Sequence, residues 1–189
     1  MKRTRTPAQL ENYVICLIPC YTEGVDELKK TINSISLTNY SDSHKLIYVV
    51  ADGMIKGAGN DEPTPEIALD ILGVPRPRDQ VSSHSYVAVS EGARQHNKAK
   101  VWTGFYSINA RTIPYIVIAK VGADGEVRRP GNRGKRDSQM ILMKFLNKVY
   151  YKGQMTPLEL EMYRQIKENL SMDPEKFEYC LMVRDFVPF

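Results

Sequence analysis

The stretch YVICLIPCYTEGVDELKKTINSISLTNYSDSHKLIYVVADG, residues 13–53, decides the fold. It opens on a continuous apolar run closed by Pro19. A short run of that kind, without polar alternation, is the pattern of a parallel strand buried on both faces. Val25, Leu28, Ile32 and Ile35 then recur at helical spacing. A second apolar run, KLIYVVA at 45–51, ends on Asp52-Gly53. Strand, helix and strand within about 40 residues make a βαβ unit, whose crossover is expected to be right-handed.

The same reading extends outward. Thr64-Pro65-Glu66 has the form of an N-cap followed by Pro at the first helical position, which predicts a short helix to about residue 72. Residues 73–83, rich in Pro and charge, read as a loop. Strands are predicted at 85–89, 100–108 and 112–121, the last two joined by a hairpin around Asn109-Ala110-Arg111. Residues 122–134 are irregular, glycine-rich and basic. Ile141, Leu142, Phe145, Leu146 and Val149 mark an amphipathic helix from Ser138, with Asp137 as its N-cap. Thr156-Pro157-Leu158-Glu159 is a capping box that starts another helix. FEYCLMV at 177–183 reads as a third buried strand. With no repeat and no linker, the pattern is one α/β domain with a mostly parallel sheet, cut short at that third strand.

Composition narrows the classes. At 42% hydrophobic and 25% charged residues the chain is an ordinary globular sequence, which excludes a disordered or fibrous one. No run approaches the ~20 apolar residues of a membrane span, and the basic N-terminus lacks the apolar core of a signal peptide. Cys16, Cys20 and Cys180 are odd in number and argue against a disulfide framework. Cys16 and Cys20 are expected as core thiols, because no His or second Cys pair completes a zinc site. The net charge of +4 is local: Lys2, Arg3 and Arg5 form one patch, and Arg128, Arg129, Arg133, Lys135 and Arg136 another. Without those eight cations the chain is net acidic, which points to an anion site and not to a general nucleic-acid surface.

In open parallel sheets ligands bind beyond the carboxyl ends of the strands. Three such ends carry polar groups here: Pro19-Cys20-Tyr21-Thr22-Glu23, Asp52-Gly53 and Arg184-Asp185. An aromatic ring to stack on a base and carboxylates to accept from base or ribose are what a nucleotide pocket needs; the plain alternative for Asp52 is a turn cap. The segment RRPGNRGKRD, 128–137, leads straight into a helix, whose N-terminal dipole adds to five cations and suits a diphosphate. Five cations so close repel, so this loop is expected to be ordered only around an anion or in open water. It lacks the spacing of a P-loop, and Gly57-Ala58-Gly59 lacks the third glycine of a dinucleotide fingerprint. His44, His84 and His96 show no metal-ligand spacing.

The strings ICLIPCYTEG (15–24), VVADGMIKGAGNDEPTPEIALDILG (49–73) and RPGNRGKRDSQMILMKFLNKV (129–149) strongly resemble fungal chitin synthases, and PLELEMY (157–163) and EYCLMV (178–183) continue the likeness in collinear order. The resemblance implies a family-two glycosyltransferase of GT-A-type fold, truncated on its C-terminal side. It would divide the chain into a basic N-terminal segment at 1–12, a partial catalytic domain at 13–183 and a divergent end at 184–189. The implied enzyme transfers N-acetylglucosamine from UDP-N-acetylglucosamine to a growing β-1,4-linked chitin chain by inverting single displacement. Matched position by position, Pro19, Tyr21 and Glu23 fall in the first nucleotide motif. Asp52, with Gly53 after it, matches the acid near uracil and ribose, and Lys135, Arg136 and Asp137 match the motif near the diphosphate.

The resemblance further implies a divalent metal, Mg or Mn, and a multi-pass plasma-membrane parent with this segment on the cytosolic face. Its partners would be the sugar nucleotide and the chitin chain, with no nucleic acid; a homo-oligomer is compatible. The general base is expected downstream. Where the family reads Asp-Ala-Asp-Thr, whose second aspartate helps hold the metal, this chain reads Arg184-Asp185-Phe186-Val187, so Phe186 replaces that carboxylate, Arg184 stands close by, and Asp185 is the one carboxylate left as a metal candidate. The chain by itself is therefore expected to bind donor weakly and to make no chitin. The alternative function is a non-catalytic module that binds a UDP sugar or a partner.

Overall fold

The computed structural model describes residues 12–183. The basic patch at Lys2, Arg3 and Arg5 and the segment Arg184-Asp185-Phe186 lie outside the described residues. The chain folds as β1 (Tyr13–Cys20), α1 (Val25–Ser36), β2 (Lys45–Ala51), α2 (Thr64–Ile71), β3 (Ser83–Val87), β4 (His96–Ile108), β5 (Arg111–Lys120), α3 (Lys135–Tyr151), α4 (Pro157–Glu168) and β6 (Phe177–Met182). The six strands form one sheet in the order β3-β4-β5-β2-β1-β6. The pairings β5–β2, β2–β1 and β1–β6 are parallel, and β3–β4 and β4–β5 are antiparallel. This is the expected mixed α/β architecture with a mostly parallel sheet, consistent with a truncated GT-A-like fold.

Side-chain alternation sorts the core into two layers. Ile15, Leu17, Tyr48, Val50, Ile116 and Ile118 face Leu142 and Phe145 of α3 and Leu158 and Met162 of α4. Cys16, Ile18, Ile47, Val49, Val117 and Ala119 face Leu28 and Ile32 of α1 and Ala68 and Leu69 of α2. Cys16 and Cys20 are buried as expected, and burial pushes the Cys16 thiol up to about 11. The predicted hairpin is present, with Asn109 and Ala110 both at positive φ (47° and 61°), the two-residue turn whose twist matches its strands. The capping box at Thr156 and Glu159 also forms, with Glu159 Oε2 accepting from the Thr156 amide at 2.7 Å.

Five expectations are corrected. Thr64 is not a cap: Pro63 is the N-cap of α2, and the Thr64 hydroxyl donates instead to the Glu23 carbonyl, 3.2 Å away. β3 starts two residues earlier than predicted, and β4 starts at His96 because that residue pairs with Val87. α3 starts at Lys135 with Gly134 as N-cap, so Asp137 lies inside the first turn. β6 forms where a third buried strand was expected and pairs with β1, but its residues from Glu178 onward are exposed. It is the edge of the sheet, with no strand beyond it among the described residues.

Candidate functional site

The parity that builds the core also builds the site. Leu46, Tyr48 and Val50 point toward α3, so the next residue of that parity, Asp52, does too; Ile116 and Ile118 make the same argument for Lys120. Since Val50 pairs with Ile118 and Ala51 with Ala119, Asp52 and Lys120 leave the sheet side by side, under the start of α3.

Lys120 is wholly buried and bridges two carboxylates, Asp52 Oδ1 and Asp137 Oδ2, each at 2.8 Å. Its third contact is the Gly134 carbonyl at 3.4 Å, which occupies all three ammonium donors. Asp137 accepts the Val89 amide (2.7 Å) on Oδ1 and the Tyr86 hydroxyl (2.8 Å) on Oδ2. Burial, and then the Asp137 charge, push the Tyr86 phenol well above its ordinary value, so it stays a donor. Asp137 therefore ties α3 to the end of β3 instead of capping its own helix. Asp52 accepts the Arg133 amide (2.9 Å) as well as Lys120 on Oδ1, and the Asn132 amide side chain (3.0 Å) on Oδ2. With about four lone-pair positions on a carboxylate, one on Oδ2 is left over.

The basic loop is ordered by the protein itself. Arg133 is fully shielded by a bidentate pair with Glu126, at 2.8 and 2.9 Å, and its Nε donates to the Arg94 carbonyl. That guanidinium holds the Glu126 carboxyl below the usual carboxylate range. The expectation of a loop ordered only by an anion or by open water overlooked Glu126. Gly53, at φ +97°, and Gly131, at φ +80°, let the loop lie directly on the strand ends. A Cβ on Gly53 would stand 2.9 Å from the Pro130 carbonyl oxygen, and one on Gly131 would stand 2.2 Å from that of Lys120.

A cavity of about 420 Å³ opens above these strand ends, lined by Pro19, Cys20, Tyr21, Glu23, Asp52, Asn132, Gly134, Lys135 and Ser138. Five of the residues predicted from sequence, Pro19, Tyr21, Glu23, Asp52 and Lys135, share this wall. Gly53, Arg136 and Asp137 do not line it. Gly53 carries the loop, Arg136 is exposed, and Asp137, in the first turn of α3, is buried against Tyr86 and Val89. The Glu23 carboxylate closes its own turn by accepting the Tyr21 and Thr22 amides. A wider depression of about 1380 Å³ adjoins it, but Glu23, Asp26, Glu27, Asp61, Glu62 and Asp70 give it the wrong sign for a diphosphate.

Sequence reasoning missed Lys120, Asn132 and Ser138, and for Arg133, named as one of the loop cations, it missed the Glu126 partner. The one usable signal was Lys120 itself, a charge ending the otherwise apolar strand TIPYIVIAK beside a strand that ends in aspartate. Among the described residues no three His, Cys, Asp or Glu side chains are grouped to hold a metal. Asp52 and Asp137 share the single ammonium of Lys120 and spend their other bonds on Arg133, Asn132, Tyr86 and Val89, and Asp185 lies outside the described residues. The residues present do not fit a metal, and no step is derived through one.

Comparison with known proteins agrees with the resemblance. The family model described as chitin synthase matches residues 1–186. Chitin synthase 8 of Mycosarcoma maydis is 49% identical over 181 residues, covering 96% of this chain and 9% of that protein. Chitin synthase 5 of Cryptococcus neoformans var. grubii is 51% identical over 179 residues, covering 95% and 9%. Chitin synthase V of Fusarium oxysporum is 49% identical over 177 residues, covering 94% and 10%. The chain thus spans about a tenth of the length of these curated relatives.

Proposed function

The chain belongs to the chitin synthase family, and from that premise we propose that it is the donor-binding part of an enzyme that adds N-acetylglucosamine to β-1,4-linked chitin. The donor is UDP-N-acetylglucosamine, held in the cavity above β1, β2 and the start of α3. One observation carries the reading: five residues from three separate motifs, Pro19, Tyr21, Glu23, Asp52 and Lys135, converge on one cavity at the carboxyl ends of parallel strands.

Each wall residue has a role its surroundings allow. Tyr21, half exposed, offers a ring for the base, a contact worth about 1–3 kcal/mol. Asp52, fixed by Lys120, Arg133 and Asn132, turns its remaining lone pair to a uracil N–H or a ribose hydroxyl. Lys135 supplies a cation where charge develops on the departing diphosphate. Neither acid of the wall is free to take a proton from the acceptor hydroxyl, because Asp52 is paired and Glu23 closes its turn. The base for the inverting displacement is assigned outside residues 12–183. A divalent metal, Mg or Mn, belongs to the complete enzyme in this proposal, with ligands from outside the described residues. So do the plasma-membrane anchorage, the cytosolic orientation, the chitin-chain partner and any self-association. Among the described residues no helix is long and apolar enough to cross a membrane.

A second, narrower reading is favoured by the engagement of both aspartates with Lys120 and their hydrogen-bond donors: this stretch binds a UDP sugar without metal and performs no transfer. Calorimetric titration of UDP-N-acetylglucosamine into the chain tests both readings. We expect one saturable site, weakened about ten-fold or more by Tyr21→Ala; equal affinity in that variant removes the site assignment. Tightening by Mn²⁺ removes the narrower reading. In the complete synthase, transfer is expected to be lost in Asp52→Asn, and full transfer there contradicts the proposed role of Asp52.

A further inference from the structure

α3 is a helix of 17 residues whose N-cap, Gly134, has no side chain to satisfy the helix start. By helix geometry the amides of Lys135 and Arg136 have no intrahelical acceptor. One turn in, Ser138 is fully buried, and its hydroxyl has no hydrogen-bond partner. That is unusual, because a serine inside a helix ordinarily donates to the carbonyl four residues back. Here that carbonyl, Gly134, already accepts from the Asp137 amide (3.1 Å), the Ser138 amide (3.3 Å) and Lys120 Nζ (3.4 Å). An orphaned buried hydroxyl lowers stability. This one stands in the wall of the 420 Å³ cavity, next to Lys135.

The ligand chemistry follows from what meets there. A helix start offers amide donors and a positive dipole end to an anion. Lys135 adds a full charge, and Ser138 adds an unspent donor. The acid in this turn, Asp137, does not face the cavity: it is buried, shares Lys120 with Asp52, and its oxygens are bound to Tyr86 and Val89. We propose that Ser138 is a phosphate-binding residue of this cavity, its hydroxyl and the first amides of α3 donating to the diphosphate oxygens of a nucleoside diphosphate. This deepens the donor-site reading above and rests on it for the identity of the nucleotide.

The test is Ser138→Ala, measured with three probes: UDP, uridine and inorganic pyrophosphate. The variant is expected to bind UDP about ten-fold more weakly, the size of one hydrogen bond to a charged group. Uridine affinity is expected to stay the same. The free variant is expected to melt at the same temperature as wild type or higher, since an unsatisfied group has been removed. Unchanged UDP affinity overturns the proposal. So does a joint fall in UDP affinity, uridine affinity and melting temperature, which is the signature of a packing role. Wild type that binds pyrophosphate with amide shifts at 135–138, yet no uridine, overturns the nucleotide reading and upholds Ser138 as an anion contact. Wild type that binds none of the three overturns both.

Discussion

β2 and β6 flank β1, both parallel to it, and both meet it at the same residue: Cys16 pairs with Ile47 on one side and with Leu181 on the other. Their sequences, KLIYVVA and FEYCLM, are both apolar enough to read as buried strands. Yet Ile47 is 0% exposed and Leu181 is 52% exposed. The difference lies in what comes next. β2 has β5 beyond it and helices against both faces, whereas β6 ends the sheet among the described residues. An apolar run records a preference for cover, and neighbours far away in sequence decide whether the cover exists. The cavity, too, stands over the covered side, where the ends of β1 and β2 meet the start of α3.

Perturbing the two sides should break or sharpen that contrast. The largest effect is expected at the covered strand ends: Lys120→Met leaves two buried carboxylates without their cation and should cost about 3–5 kcal/mol in denaturant unfolding. A cost under about 1 kcal/mol would mean that the bridge does not hold the strand ends together. Next comes the matched pair across Cys16. Ile47→Ala should cost about 2–5 kcal/mol, and Leu181→Ala no more than about 0.5 kcal/mol. Equal losses would show that β6 is covered after all.

The remaining perturbation concerns the loop above β2. Glu126→Gln should cost about 2 kcal/mol at neutral pH by breaking the shielded bidentate pair with Arg133. The folded-state pKa of Glu126 is depressed, so its contribution is fully present above the ordinary glutamate value, near 4.3. It is lost as pH falls through the depressed value. Melting curves of wild type and variant should therefore converge in acid and separate above about pH 5; a constant gap across that range contradicts the pairing.

The same contrast explains what was legible in the sequence. The apolar runs of β1 and β2, the periodicity of α1 and the capping box of α4 can each be read within a short window, and these elements form where the pattern puts them. Thr64 and Asp137 look like caps by the same local rules, but partners distant in sequence claimed them: the Glu23 carbonyl took the first, and Tyr86, Val89 and Lys120 the second. The candidate site was legible as separate strings, because each motif is short and contiguous. What joins the strings was not, since Lys120 meets Asp52 across 68 positions of chain. Arg133 was counted as a free cation because its partner, Glu126, reaches it only after the loop has turned.

The central claim is that the carboxyl ends of β1 and β2 and the start of α3 form one site for a uridine diphosphate sugar. Amide chemical-shift mapping of the chain during titration with UDP-N-acetylglucosamine tests it most directly. The account predicts saturable shifts concentrated at Tyr21, at Asp52 and Gly53 and at 134–138, while β6 and the acidic depression beside α1 stay still. Shifts that centre on the acidic depression, or none at millimolar donor, would contradict it.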